Sequence, residues 1–232
     1  MSDLSGKLIV VTGATGNMGQ ALCAALIAEG ATVWAIDRSD DGIAQLHARF
    51  GASLRGEPCD LRDPAAIERS FDAAGELWGL VHTVGGWRGG SVSSAAPEDF
   101  AAMFELNTST AFFTTRAALR RMLVSGGGRI VTIASINAAL AVGLSGAALY
   151  NASKSAVIAL AKAADEEGRS KNVRASCLAP NTLDTPQNRA SMPSVDPTTW
   201  VSLSEVAQAV IACVRPSSGL GGAVLTLPGR KQ

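Results

Sequence analysis

Tyr150 and Lys154 lie four residues apart, a spacing that on a helix sets both side chains on one face, about a turn apart. The phenol is the only tyrosine in the chain. With a pKa of about 10 it is a poor acid or base at neutral pH, but a nearby ammonium favours the phenolate and lowers that value. The pair is therefore a candidate proton donor or acceptor. Ser135 stands 15 residues earlier, at the end of an apolar run, where its hydroxyl can hold a substrate oxygen beside the tyrosine. Asn107 falls inside a long helical pattern; it is expected to bend or hydrate that helix and to carry a water to Lys154. Each residue also has a plain structural explanation, because Ser and Asn commonly bond to nearby backbone and Tyr-x-x-x-Lys arises by chance.

The elements that must position these residues follow a regular alternation. Apolar runs rich in β-branched residues occupy 7–12, 31–36, 77–84, 129–134, 173–178 and 223–227, with a weaker one at 53–59. Helical patterns fill the gaps, with Met18, Ala21, Leu22, Ala25 and Leu26 on one face of the first, Asp63-Pro64 starting the third and Ser202-x-x-Glu205 forming a capping box. Strands apolar on both faces and joined by helices predict an α/β fold, a single-domain Rossmann fold with a doubly wound seven-stranded parallel sheet spanning 1–232. No repeat or linker interrupts it. Two stretches read as functional loops, 85–96 and 180–201, where Gly, Pro, Ser and Thr cluster without periodicity.

Directly after the first strand, Gly13, Thr15, Gly16, Asn17, Met18 and Gly19 form a turn that opens into the first helix. Glycines there let the backbone approach a pyrophosphate, while the free N–H groups and dipole of the helix N-terminus favour the anion. A merely tight strand-to-helix turn would look similar, so position matters. Asp37 ends the second strand about 20 residues on, where a carboxylate accepts hydrogen bonds from both ribose hydroxyls and repels a 2′-phosphate. NAD(H) is favoured on that ground. Arg38 keeps NADP(H) open, since a guanidinium can bind the phosphate. Asp60 and Leu61, after the third strand, are candidate adenine contacts, and Gly85-Gly86 mark the crevice where the strand order should reverse.

Taken together and in this order, the glycine turn, Asp37, Asp60, Gly85-Gly86, Asn107, Ser135, Tyr150 and Lys154 resemble the short-chain dehydrogenase/reductase superfamily over essentially the whole chain. The resemblance implies Tyr150 as proton donor or acceptor, Lys154 and Tyr150 also holding the nicotinamide ribose, Ser135 orienting the carbonyl or hydroxyl, and Asn107 maintaining a proton relay. Pro180, Asn181 and Thr182 fall where that family contacts the nicotinamide amide. Asn17 stands where many members have glycine, and asparagine tolerates positive φ. The loops also resemble those of quinonoid dihydropteridine reductases, in Gly85-Gly86-Trp87-Arg88-Gly89-Gly90, in the segment 182–193 and in 215–219. Those enzymes lack the family Ser and Asn present here.

The expected function is an NAD(P)-dependent oxidoreductase interconverting a carbonyl and a secondary alcohol, with NADH-dependent reduction of a quinonoid dihydropterin as the enzymatic alternative. A non-catalytic nucleotide-binding regulator is the third reading, against which intact Ser135, Tyr150 and Lys154 argue. The segment 182–201 is expected to act as a lid, with Trp87, Asn188, Arg189 and Met192 lining a pocket for a flat small-molecule substrate.

Composition excludes other classes. With 20 basic and 20 acidic residues, 17% charged and 47% hydrophobic, the chain shows no basic stripe for nucleic acid. Four scattered cysteines and two histidines form neither a metal motif nor a disulfide framework. The uncharged run 130–153 is long enough for a bilayer, but Ser135, Asn137, Ser145 and Asn151 break it, so no membrane association is expected and the location is read as cytoplasmic. Ala-rich, Phe-bearing helical faces at 98–124 and 152–167 predict a homodimer or homotetramer.

Overall fold

The computed structural model describes residues 4–230. Seven strands, β1 (Leu8–Thr12), β2 (Thr32–Asp37), β3 (Leu54–Pro58), β4 (Gly79–His82), β5 (Gly128–Ile133), β6 (Val173–Pro180) and β7 (Val224–Leu227), form one sheet in the order β3-β2-β1-β4-β5-β6-β7. Every pairing is parallel. The order reverses between β1 and β4, whose registers pair Thr12 with His82, and this opens a crevice at the strands' C-terminal ends.

Among the described residues nine α-helices accompany the strands: α1 (Asn17–Ala28), α2 (Asp40–Phe50), α3 (Pro64–Ala74), α4 (Pro97–Phe104), α5 (Thr110–Ser125), α6 (Ile136–Leu140), α7 (Ala148–Gly168), α8 (Pro186–Ser191) and α9 (Leu203–Val214). Central strands are buried on both faces, and alternation along β1 shows why: Ile9 and Val11 pack with Leu22 of α1, Leu46 of α2 and Val210 of α9, whereas Val10 joins Phe71 of α3, Ala117 of α5 and Ala164 of α7 on the opposite face. Burial on two faces is what makes these runs read as continuously apolar. The helix starts follow their local chemistry. Asp63 accepts from the Ala65 amide at 2.8 Å with Pro64 in the first turn, and Ser202 and Glu205 exchange side-chain and backbone bonds.

Two segments differ from the sequence expectation. The helical pattern around Asn107 is not one helix but α4 and α5 joined through a π-turn at Glu105–Ser109. The segment 180–201 is not wholly irregular, because Thr185 accepts from the Asn188 amide at 3.2 Å, Pro186 fixes the first turn, and α8 results.

Candidate active site

Gly13 adopts φ +64, a left-handed conformation that suits glycine, and turns the chain from β1 toward α1. A side chain at Gly19 would run into the Gly13 carbonyl, so this glycine permits the helix to pack on the turn. Asn17 does not carry the positive φ that its side chain could tolerate; it is already the first residue of α1, behind an extended Gly16 at φ −71 and ψ 165. The strain falls on Gly13 instead. No side chain caps α1 and no acidic residue occupies its first turn, which leaves amide donors and a positive dipole end facing the crevice.

The turn is one wall of a cavity of about 700 Å³, a size typical of small-molecule sites. Gly13, Thr15, Gly16, Asn17, Met18 and Gly19 line it together with Asp37, Arg38, Asp60, Leu61, Gly85 and Asn188. Asp37 accepts from the Thr15 amide at 3.1 Å and the Arg38 amide at 2.7 Å, so its carboxylate is fixed against the turn. Asp60 is forked by Arg62, at 3.0 Å from Nε and 2.6 Å from the second terminal nitrogen. That hydrogen-bonded guanidinium pulls the Asp60 carboxyl down to about 2. Arg62, Thr83, Val84, Glu105, Leu106 and Thr110 also line the cavity and were not singled out from sequence. Thr83 and Val84 directly precede Gly85-Gly86, which was a usable signal; Glu105 and Thr110 arrive only through the packing of α5.

Ser135, 8% exposed, sits between β5 and α6 with its hydroxyl beside Tyr150, a half-buried residue in the first turn of α7. Burial pushes the Tyr150 phenol up and the Ser135 hydroxyl opposes that. The expected lowering by Lys154 is therefore not what governs this phenol here, because desolvation of the ring's charged form outweighs other effects. Lys154 is itself buried, donates from Nζ to the Ile133 carbonyl at 2.9 Å, and is pushed down to about 8 by loss of hydration. Asn107 is fully buried in the π-turn, accepting from the Gly86 amide at 2.8 Å and donating to the Gly86 carbonyl at 3.0 Å and Ser153 Oγ at 2.9 Å. Both Lys154 and Asn107 converge on Gly85: a Cβ there would meet Nζ at 2.7 Å and Oδ1 at 2.8 Å. Only a residue without a side chain fits between them.

Gly86, Asn107, Ser135, Tyr150 and Lys154 are not walls of this cavity, which they reach only at Gly85, and neither are the remaining expected contacts. Pro180 ends β6; Asn181 donates its amide to the Pro228 carbonyl at 3.1 Å, and the Thr182 amide bonds Asn181 Oδ1 at 2.9 Å. Arg189 is committed to Asp184 at 2.6 Å, Met192 is partly buried, and Trp87 is 68% exposed. Trp200, within the segment 182–201, is buried at 7% exposure. Its neighbour Val201 bonds Thr182 and Asp184 at 2.8 Å each, closing the neck of the loop.

Comparison with known proteins adds an independent line. The family model described as short chain dehydrogenase matches residues 7–195. The chain belongs to the short-chain dehydrogenase/reductase superfamily. It is 30% identical over 225 residues to the 3-oxoacyl-[acyl-carrier-protein] reductase FabG of Escherichia coli strain K12, covering 95% of this chain and 86% of that one. D-threitol dehydrogenase of Mycolicibacterium smegmatis is 32% identical over 187 residues, covering 78% and 71%. Among solved structures, a gluconate 5-dehydrogenase from Burkholderia cenocepacia in complex with NADP and tartrate superposes with a TM-score of 0.89 at 25% identity, over 97% of this chain and 95% of its own. The superfamily assignment makes the chain an oxidoreductase. Among the described residues, no helix of this short-chain dehydrogenase is long and apolar enough to cross a membrane.

Proposed function

We propose that this chain transfers hydride between NAD(H) and a small carbonyl or secondary alcohol, with Tyr150 moving the proton. The observation that carries this reading is the Ser135 hydroxyl beside Tyr150, set with buried Lys154 and Asn107, which meet at Gly85 on the wall of the 700 Å³ cavity. The cavity fits a dinucleotide in its chemistry. The glycine turn and the uncapped α1 terminus would hold the pyrophosphate, Asp37 the adenosine ribose, and Asp60 and Leu61 the adenine side. When bound, the nicotinamide supplies or accepts the hydride.

The remaining work falls to the chain's own groups. In the reductive direction Tyr150 gives its hydroxyl proton to the carbonyl oxygen while Ser135 holds that oxygen, so charge never accumulates on it. A Tyr150 phenol raised by burial is protonated at neutral pH, as a donor requires. Lys154, with a value near 8, is poised to pass a proton back toward the phenolate. Asn107 holds the Gly86 loop and the α7 face in register with that exchange. The segment 182–201 serves as a lid, as Leu183, Thr185, Gln187 and Asn188 already face the glycine turn across the cavity.

NAD is preferred to NADP in this reading because the Asp37 carboxylate, held by the Thr15 amide, stands where a 2′-phosphate would meet like charge. A carbonyl substrate is preferred to a quinonoid dihydropterin, since the relatives named above are a 3-oxoacyl-[acyl-carrier-protein] reductase, a D-threitol dehydrogenase and a gluconate 5-dehydrogenase. The substrate is uncharged around its reacting carbon: the run 130–153 flanking Ser135 and Tyr150 has no charged residue, and Arg189 and Arg88 are paired with Asp184 and Asp99. The test is cofactor oxidation against a panel of ketones, aldehydes and a quinonoid dihydropterin with NADH and with NADPH. Turnover of a neutral ketone with NADH is expected; turnover of the dihydropterin alone, or NADPH preference, replaces this reading.

A further inference from the structure

His82, at the end of β4, is 1% exposed and has no part in the chemistry above. Three threonine hydroxyls surround its ring. Thr12 Oγ1 is 3.1 Å and Thr114 Oγ1 3.0 Å from Nδ1, and Thr110 Oγ1 is 3.4 Å from Nε2. Thr110 donates its own proton to the Leu106 carbonyl at 2.6 Å, and Thr114 donates its own to the Thr110 carbonyl at 2.8 Å. Nε2 can therefore donate to Thr110, or Nδ1 to Thr114; a link from the ring to Thr110 requires the first, with Nδ1 as acceptor. Thr12 Oγ1 already accepts from the Thr83 amide at 3.2 Å, which leaves its proton for Nδ1. Burial, and after it the neighbouring Lys154 cation, hold the imidazole at about 3, so the ring stays neutral at working pH.

In the Nε2–H tautomer these contacts form one directed series, from the Thr83 amide through Thr12, His82 and Thr110 to the Leu106 carbonyl. Its two ends matter. Thr12 immediately precedes Gly13, the pivot of the glycine turn, and Leu106 sits in the π-turn beside Asn107. A π-turn holds one residue more than an α-turn and survives where local bonds stabilise its displaced carbonyls. Relaxing it to α geometry would re-phase Asn107 by about 100° about the helix axis and take its amide from Gly86 and Ser153. We propose that His82 is a positioning residue that locks the Asn107 π-turn to the glycine turn, acting through Thr110 and Thr12 without touching cofactor or substrate. Its effect on turnover rests on the dehydrogenase reading; its effect on Asn107 does not.

Two shorter amides separate the ring nitrogens. His82→Gln places a donor near the Nε2 position and keeps the Thr110 side, whereas His82→Asn places its amide near Nδ1 and keeps only the Thr12 side. The readout is hydrogen exchange of the Gly86 amide, which Asn107 Oδ1 protects. Exchange is expected to rise about tenfold in His82→Asn, the scale of one lost buried hydrogen bond, and to stay within about threefold of the native rate in His82→Gln. Nitrogen-resolved NMR of the native chain, which has only two histidines, should show the Nε2–H tautomer at pH 7. On a carbonyl substrate, kcat should fall in the Asn variant and recover in the Gln variant, with KM for NADH nearly constant. Equal Gly86 exchange in the native chain and His82→Asn, or an Nδ1–H imidazole, overturns the proposal; if the Asn variant does not fold, the tautomer decides. Failure of the native chain to bind NADH would instead sink the dehydrogenase reading and leave the exchange result standing.

Discussion

Replacing Lys154 by methionine should make the protein more stable and abolish its turnover. The ammonium is 5% exposed, and burial takes its pKa from 10.5 to about 8. That is a depression of about 2.5 pH units, worth about 3 kcal/mol of folding stability at about 1.4 kcal/mol per unit. Methionine is of similar length and carries no charge, so the cost disappears. The variant loses the 2.9 Å bond to the Ile133 carbonyl, at about 1 kcal/mol, which leaves a net gain of about 2 kcal/mol. For a domain of this size the melting temperature should rise by about 4–8 °C at pH 7. The pH dependence follows from the sign of the shift. Below about 8 the lysine is protonated in both folded and unfolded chains and its cost is fully present; between about 8 and 10.5 the folded chain has released a proton that the unfolded chain still binds, so native stability climbs toward that of the variant. The assay is thermal or urea unfolding of both chains in parallel from pH 7 to pH 10.5, taking the difference at each pH so that other titrating groups cancel. A variant no more stable than the native chain at pH 7, or a gain that does not shrink with rising pH, would refute the reasoning that burial and not pairing dominates this lysine.

Tyr150→Phe removes the hydroxyl beside Ser135 while the ring still packs, so kcat should fall about 10² to 10⁴-fold with the NADH dissociation constant little changed; steady-state kinetics with fluorescence titration checks this. Asp37→Ala should reduce the preference for NADH over NADPH by about tenfold or more, read as a ratio of kcat/KM values, because the carboxylate fixed by Thr15 no longer opposes a 2′-phosphate and Arg38 remains. At the other end of α7, buried Asp165 accepts from Arg174 at 2.8 Å, Arg169 at 3.1 Å and the Ala175 amide at 3.1 Å, and these partners lower its carboxyl despite burial. Its stabilisation is present above about 3.9 and lost as pH falls through the lower folded value, so Asp165→Ala should cost about 3 kcal/mol at neutral pH and much less in acid unfolding. Phe100, Phe112 and Val124, at 51%, 42% and 90% exposure on α4 and α5, should be covered by a second copy, and sedimentation as a monomer at micromolar concentration would count against that.

The sequence by itself determined the sheet and the spacing of its chemistry. Alternation of apolar runs with helical patterns specified seven strands, most plainly the central ones, since a strand buried on both faces cannot be hidden among polar residues, and local cap signals at Asp63 and Ser202 marked helix starts because capping is a short-range bond. Tyr150 and Lys154 were legible for the same reason: four residues on a helix fix their relation without help from the rest of the chain. What only the tertiary structure decided depends on elements distant in sequence. The π-turn that aims Asn107 is held by Thr110 and, across two strands, by His82 and Thr12; no local pattern distinguishes that histidine from an ordinary core residue. Arg62 draws Asp60 into a fork, and Asn17 yields the strained conformation to Gly13 because α1 already begins there. The acidity of the candidate groups was the least legible of all. A lysine near a tyrosine suggests from sequence that the phenol is lowered, but desolvation depends on how much of the surrounding chain closes over each charge, and that quantity exists only once the fold is made.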